Sequence, residues 1–168
     1  MSFWTHFLPT EQGTFNLSGF SRFIQLYSPS IIFSFGRSSG TNTGLKLWVL
    51  DTTDANAITQ LGFFELDEAF AASTVEFEHK AFLLAEDYTV LPTRISNQFN
   101  GALLLKFDTV SWTFTVHPIF HYFQGDDFRS QTVKRSLYIR DNIFTISDCS
   151  IILTKEDPPH LSQGISLC

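Results

Sequence analysis

Cysteine and methionine are scarce in this sequence of 168 residues, which has two cysteines and one methionine. The two cysteines, Cys149 and Cys168, do not form a Cys-x-x-Cys pair. A structural zinc site needs several clustered thiolate and imidazole ligands, so the sequence gives no indication of one. It leaves open whether the two cysteines form a disulfide, and with it the cellular compartment.

Positive charge is also sparse. The chain has 11 Lys and Arg against 17 Asp and Glu, and its formal net charge is −6. Nucleic-acid binding depends on cationic groups that neutralise phosphates, and the sequence has no block of them, so we expect no nucleic-acid partner. No apolar run reaches about eighteen residues, so we expect no membrane span. The first residues lack the basic and apolar regions of a signal peptide.

Motifs of common enzyme classes are missing as well. The sequence has no GxSxG, no P-loop and no GxGxxG. His117 and His121 are four positions apart, but they flank Pro118 in a predicted strand, where that spacing separates the two side chains along one face. No HExxH pattern is present. We therefore expect partly exposed structural histidines and no enzyme.

Aromatic residues are abundant: Phe alone occurs 19 times, and hydrophobic residues make up 43% of the chain. Aromatic and β-branched residues suit a pleated, half-buried surface, so the composition favours an all-β fold. Short apolar or alternating runs separated by turn residues predict strands. These runs cover residues 20–27, 30–36, 45–51, 58–66, 74–85, 89–95, 102–108, 113–120, 135–141, 142–148 and 150–156. One short helix-like segment covers residues 65–73.

The strands repeat in groups of four. Residues 45–64 align with residues 102–120. In each copy the first strand ends in an Asp-Thr pair, and the two pairs, Asp51-Thr52 and Asp108-Thr109, are 57 positions apart. Four-stranded units at about this period are typical of β-propeller blades. We predict a partial β-propeller of about two and a half to three four-stranded antiparallel blades. The blades cover about 15–66, 74–121 and 133–157, after an irregular lead-in at 1–13 and before a loose tail at 158–168.

The order of several segments strengthens this interpretation. GFSRFIQLY (19–27), GLKLWVLDTTDAN (44–56), EHKAFLL (78–84), GALLLKFD (101–108) and RSLYIRDNIFTISD (135–148) resemble the secreted β-propeller domain family. These are bacterial and archaeal C-terminal β-propeller proteins, distantly related to WD-repeat propellers. The resemblance covers roughly residues 14–157. It implies a secreted or cell-envelope location, although the chain shows no signal peptide of its own.

Two groups of residues are candidate sites. Arg22, Lys80 and Arg135 occupy similar places near the start of each blade's first strand, which lines the channel of a propeller. We predict that they form a ring of cations at the channel mouth that attracts an anionic ligand, or else that they bond neighbouring groups within the fold. Asp51 and Asp54 are weak candidates for a Ca²⁺ site, and a turn role is the preferred interpretation.

The function predicted from these observations is a non-enzymatic scaffold that binds a protein or a surface glycan. A propeller needs more blades than this chain contains, so the remaining blades, or other copies of the chain, are expected to close the ring. Two alternatives stay open. One is a metal- or anion-dependent module or enzyme whose site is completed by absent blades; the other is a structural remnant without a ligand.

Overall fold

The computed structural model describes residues 13–39, 44–96, 98–121, 131–155 and 160–167. Its regular structure is almost entirely β, in three antiparallel sheets that follow one another along the chain. The prediction of an all-β partial propeller is confirmed. Within the described residues, no helix is long and apolar enough to cross a membrane.

The first sheet, which we call blade 1, has four strands in sequence order. They are β1 (Gly19–Ser28), β2 (Ile31–Ser38), β3 (Leu45–Asp51) and β4 (Thr59–Leu66). Turns rich in Ser, Thr, Asp and Gly connect them, as the sequence predicts. The central strands β2 and β3 are the most buried.

The second sheet, blade 2, has a divided first strand. Its strands are β5 (Ala71–Ala72), β6 (Leu83–Leu84), β7 (Tyr88–Ile95), β8 (Phe99–Phe107) and β9 (Phe114–Phe120). Both β5 and β6 pair with β7, and two short 3-10 helices, Thr74–Glu76 and His79–Ala81, separate them. The prediction of one continuous strand over 74–85 is therefore wrong.

A local hydrogen-bond pattern explains the interruption. The Ser73 hydroxyl accepts a hydrogen bond from the Val75 N–H, and the Glu76 carboxylate accepts one from the Ser73 N–H. This reciprocal arrangement is a capping box, which starts a helical turn. The Ser73 hydroxyl also donates to the Pro92 carbonyl oxygen at 2.6 Å and so fixes the turn against β7.

The third sheet, blade 3, is more complete than expected. Its strands are β10 (Arg135–Ile139), β11 (Asn142–Ile146), β12 (Ser150–Lys155) and β13 (His160–Ser166). The segment predicted as a loose tail contains β13, which pairs with β12, so that prediction is wrong. Cys149 is disulfide-bonded; Cys168, the only other cysteine of the sequence, lies outside the described residues.

Two further expectations concern the segments between blades. The helix-like segment at 65–73 forms no helix, because it holds the end of β4, a loop and then β5. Most of the predicted lead-in, residues 1–12, lies outside the described residues.

The blades pack face to face through two apolar cores. The core between blades 1 and 2 is rich in aromatic rings, and Trp112 packs against Tyr27, Phe33 and Phe107 with ring centroids 5.8 to 6.2 Å apart. The core between blades 2 and 3 is smaller. It contains Tyr88, Val90, Ala102, Leu104, Ile119, Val133, Ile143 and Ile152.

Candidate functional site

The first strands of the three blades converge. The ring of Phe23 in β1 stacks on the ring of His79, with centroids 6.0 Å apart, and meets Phe82 edge-on at 5.6 Å. The second 3-10 helix, which contains His79, also contacts β10. The Tyr88 and Tyr138 rings join β7 to β10. The inner elements of all three blades therefore adjoin one another, as the lining of a propeller channel requires.

The three predicted cations lie on these inner elements, and each of them is exposed. Arg22 lies in β1, where its guanidinium group sits 5.2 Å from the centroid of the Phe20 ring. Arg135 is the first residue of β10. Lys80 is in the second 3-10 helix and not on a strand, so the expectation that all three start equivalent strands is wrong for Lys80.

These cations differ from Arg37 and Lys46 in their partners. No ion pair joins Arg22, Lys80 or Arg135 to a carboxylate within the part of the chain that the structure describes. By contrast, the Lys46 ammonium is 2.8 Å from a Glu65 carboxylate oxygen, and this hydrogen bond lowers the pKa of Glu65. The inner cations thus keep hydrogen-bonding capacity that a ligand could use. Sequence reasoning assigned them a shared role, and this role stays a prediction.

The Asp candidates serve their own turns. The Asp51 carboxylate accepts a hydrogen bond from the Thr53 N–H at 2.8 Å, and the bonds from Thr53 hold the pKa of Asp51 below its ordinary value. Asp54 accepts from the Asn56 N–H in the same way at 2.9 Å. Among the described residues, no three His, Cys, Asp or Glu side chains cluster closely enough to hold a metal ion.

His121 is the residue whose environment differs most from the prediction. It follows β9 and is fully buried, whereas we expected a partly exposed histidine; His117, in β9, is partly buried. Nδ1 of His121 is 2.9 Å from the Ser150 hydroxyl, and Nε2 is 2.7 Å from the Thr145 hydroxyl. Burial lowers the pKa of His121 to about 4. The imidazole therefore acts as a neutral hydrogen-bonding link between blades 2 and 3, without access to a substrate.

Sequence reasoning missed one further feature. A cleft of about 430 Å³ lies at the junction of blades 2 and 3, and its lining includes the basic residues Arg94 and Lys134. The repeat contained a signal for it. Arg94 follows Arg37 by 57 positions, the same interval that separates the two Asp-Thr pairs at the strand ends.

The arrangement of the sheets defines the class of protein. Four-stranded antiparallel sheets whose first strands converge and whose faces pack in succession are the blades of a β-propeller. A family model described as a beta propeller domain matches residues 6–157, and the chain belongs to that family. No curated protein and no solved structure shows a significant match to the chain.

Proposed function

We propose that this propeller domain is a non-enzymatic binding scaffold and that Arg22, Lys80 and Arg135 bind acidic groups of a protein or surface-glycan partner. The supporting observation is that all three cations are exposed on adjoining inner elements and lack a carboxylate partner among the described residues. In an otherwise acidic protein, such cations create a local positive field that attracts anionic groups. Two of the three cations, Arg22 and Arg135, are carried by strands, and Lys80 is carried by the second 3-10 helix.

An acidic peptide provides a direct test. A fluorescently labelled poly-glutamate peptide is titrated with the purified chain at low ionic strength, and its anisotropy is recorded. We expect the Arg22→Gln, Arg135→Gln double variant to weaken binding by about tenfold or more, because charged contacts across an interface contribute on this scale. Adding Lys80→Gln should weaken binding further.

A matched control separates this site from the overall charge. Arg140 and Lys155 are also exposed but lie at the far ends of β10 and β12. The Arg140→Gln, Lys155→Gln double variant changes the net charge by the same amount and should bind the peptide almost as the parent does. Equal losses in the two double variants would refute a specific site. A hyaluronate titration tells whether a glycan polyanion occupies the same residues.

The scaffold also requires partners for its two terminal blades. Blade 1 exposes Ile24, Leu26 and Phe63 on the face turned away from blade 2, each about half exposed or more. Blade 3 exposes Leu137, Ile139 and Ile165 on the face turned away from blade 2. Apolar side chains of this size, grouped on one face, indicate a contact surface.

We propose that further blades, or other copies of this chain, cover these two faces and close the ring. Light scattering during size-exclusion chromatography tests the second alternative. A closed oligomer that dissociates when Leu137 and Ile165 are changed to Asp would support closure by other copies. A stable monomer that is unaffected by the same changes would contradict it and leave further blades as the partner.

A further inference from the structure

Arg37 and Arg94 occupy similar positions in consecutive blades, on the same face and near the end of the second strand. Each is the last but one residue of the second strand of its blade, β2 or β7. Arg37 pairs with Leu45 at the start of β3, and Arg94 pairs with Asn100 near the start of β8. Both side chains are directed towards the following blade, since Arg37 contacts blade 2 and Arg94 lines the cleft at the junction with blade 3.

At the junction of blades 1 and 2, the protein itself binds the guanidinium group. Nε and Nη2 of Arg37 donate to the two carboxylate oxygens of Glu76 at 2.7 and 2.8 Å, and Nη2 also donates to the Ala71 carbonyl oxygen at 3.1 Å. The Glu76 side chain is only 4% exposed. This bidentate geometry is the strong form of an Arg–carboxylate pair. The Glu76 carboxylate of blade 2 thus binds the guanidinium group of Arg37 in blade 1.

At the junction of blades 2 and 3, the described residues supply no corresponding carboxylate. Those of them that line the cleft with Arg94 include Thr74, Thr132 and Lys134, and none is acidic. No ion pair to Arg94 occurs among the described residues. The Lys134 ammonium is 3.6 Å from the Asp148 carboxylate, but both side chains are more than half exposed, so water screens this pair. Among the described residues, Arg94 therefore has no carboxylate counter-ion in the cleft.

One wall of the cleft is apolar. Phe77 lines it and is 89% exposed, an unusual placement for a large aromatic ring. The volume of about 430 Å³ lies within the range of pockets that hold small molecules. Charged groups and an exposed ring in one cleft suit a ligand with an anionic end and a flat apolar body.

We propose that this cleft binds a small carboxylic acid with an apolar body, whose carboxylate takes at Arg94 the place that Glu76 takes at Arg37. Lys134 adds a second cation at the cleft, and Phe77 packs against the apolar body. The carboxylate follows from the internal precedent, because the arginine at a similar position one blade earlier binds a carboxylate. This site is separate from the cations at Arg22, Lys80 and Arg135, and the two proposals stand or fall independently.

Benzoate is the probe, and benzamide is its neutral counterpart. Backbone amide shifts of the isotope-labelled chain are recorded by NMR as each compound is added. We expect benzoate to shift the amides of residues 72–77, 94 and 132–134, with benzamide at least tenfold weaker. Such a small ligand binds weakly, so a dissociation constant of roughly 1 mM is expected. Equal shifts with both compounds, or none, would overturn the proposal.

Three variants locate the site. Arg94→Gln should reduce benzoate affinity by about tenfold or more, and Arg94→Lys, which keeps the charge but not the planar donor pair, should reduce it by less. The Arg22→Gln control should bind benzoate as the parent does. Equal losses in Arg22→Gln and Arg94→Gln would show that only the net charge matters and would overturn the proposal.

A fourth variant tests the analogy between the two junctions. Thr132→Glu introduces a carboxylate into the cleft and so supplies the group that Glu76 supplies in the first junction. It should raise the melting temperature and abolish benzoate binding together. Unchanged benzoate affinity in this variant would contradict the assigned position of the carboxylate. The Arg22, Lys80 and Arg135 triple variant should keep benzoate binding, which separates this site from the one proposed above.

Discussion

The buried imidazole of His121 makes the stability of the protein depend on pH in a way that can be calculated. Its two ring nitrogens bond to hydroxyl groups of Thr145 and Ser150, and the side chain has no exposed surface. Burial lowers the pKa of His121 from 6.5 to about 4. In the folded protein the imidazole therefore stays neutral at a pH where the unfolded chain already binds a proton.

The sign and size of the effect follow from proton linkage. Above pH 6.5 both states are neutral, and the full contribution to stability is present. As the pH falls from 6.5 to 4, the unfolded state gains a proton that the folded state does not bind, so the free energy of unfolding decreases. The pKa difference corresponds to a total loss of about 3 kcal/mol, of which about 2 kcal/mol falls between pH 7 and pH 5.

Urea denaturation at pH 7 and pH 5 measures this loss. In His121→Gln, an amide that cannot titrate replaces the imidazole, so the decrease between the two pH values should be smaller by about 2 kcal/mol. The variant should also be less stable at pH 7 by about 1 to 3 kcal/mol, since a single amide cannot bond both hydroxyl groups in the same geometry. His79→Gln changes a surface-exposed imidazole and should keep the parent's pH dependence. If His121→Gln kept it too, the reasoning would be refuted.

Three further predictions concern blade 1 and its contact with blade 2, and urea denaturation at pH 7 checks each of them. Trp112→Ala removes a buried ring from the aromatic core and should cost about 3 to 5 kcal/mol; a loss below 1 kcal/mol would show that the ring contributes little. Glu76→Gln leaves the partly buried Arg37 without its counter-charge and should cost about 2 kcal/mol of unfolding free energy. If this loss became smaller at high salt, the pair would be screened as a surface pair is, which would contradict the prediction. Gly36→Ala would place a Cβ 1.9 Å from the Phe20 carbonyl oxygen, so β1 must shift, at a cost of about 1 to 3 kcal/mol; unchanged stability would mean that β1 moves freely.

Most strands of blades 1 and 3 could be predicted because their apolar runs are short and bounded by turn residues. The run LKLWVLD, for example, predicts a strand over residues 45–51, and these are the bounds of β3. The first strand of blade 2 could not be predicted in this way, because an apolar run does not reveal the capping box between Ser73 and Glu76. Strand β13 was missed because His160–Ser166 lacks the apolar alternation of a half-buried strand.

Features that depend on contacts between blades could not be predicted. The sequence contains both Arg37 and Arg94 at the repeat interval, but nothing in it shows that, among the described residues, Arg37 pairs with a carboxylate and Arg94 does not. That difference arises from the 3-10 helix that carries Glu76, which blade 2 has and for which blade 3 shows no counterpart among its described residues. Likewise, the burial of His121 depends on β11 and β12, which lie more than twenty positions further along the chain.

The two junctions differ in what joins the blades, and this difference predicts the order in which the structure opens. An aromatic core and the buried Arg37–Glu76 pair join blades 1 and 2, whereas a smaller, mainly aliphatic core and the hydrogen bonds of His121 join blades 2 and 3. Local opening should therefore require less free energy at the second junction.

Amide hydrogen exchange tests this order. We expect the amides of β11 and β12 to exchange through an opening of lower free energy than those of β3 and β8 at pH 7. The difference between these two opening free energies should increase at pH 5, because protonation of His121 favours the open form of the second junction and leaves the first junction unaffected. If all four strands exchanged at one free energy at both pH values, the three blades would unfold as a single unit. In that case the His121 link would contribute to global stability alone, and its pH dependence would appear equally in every blade.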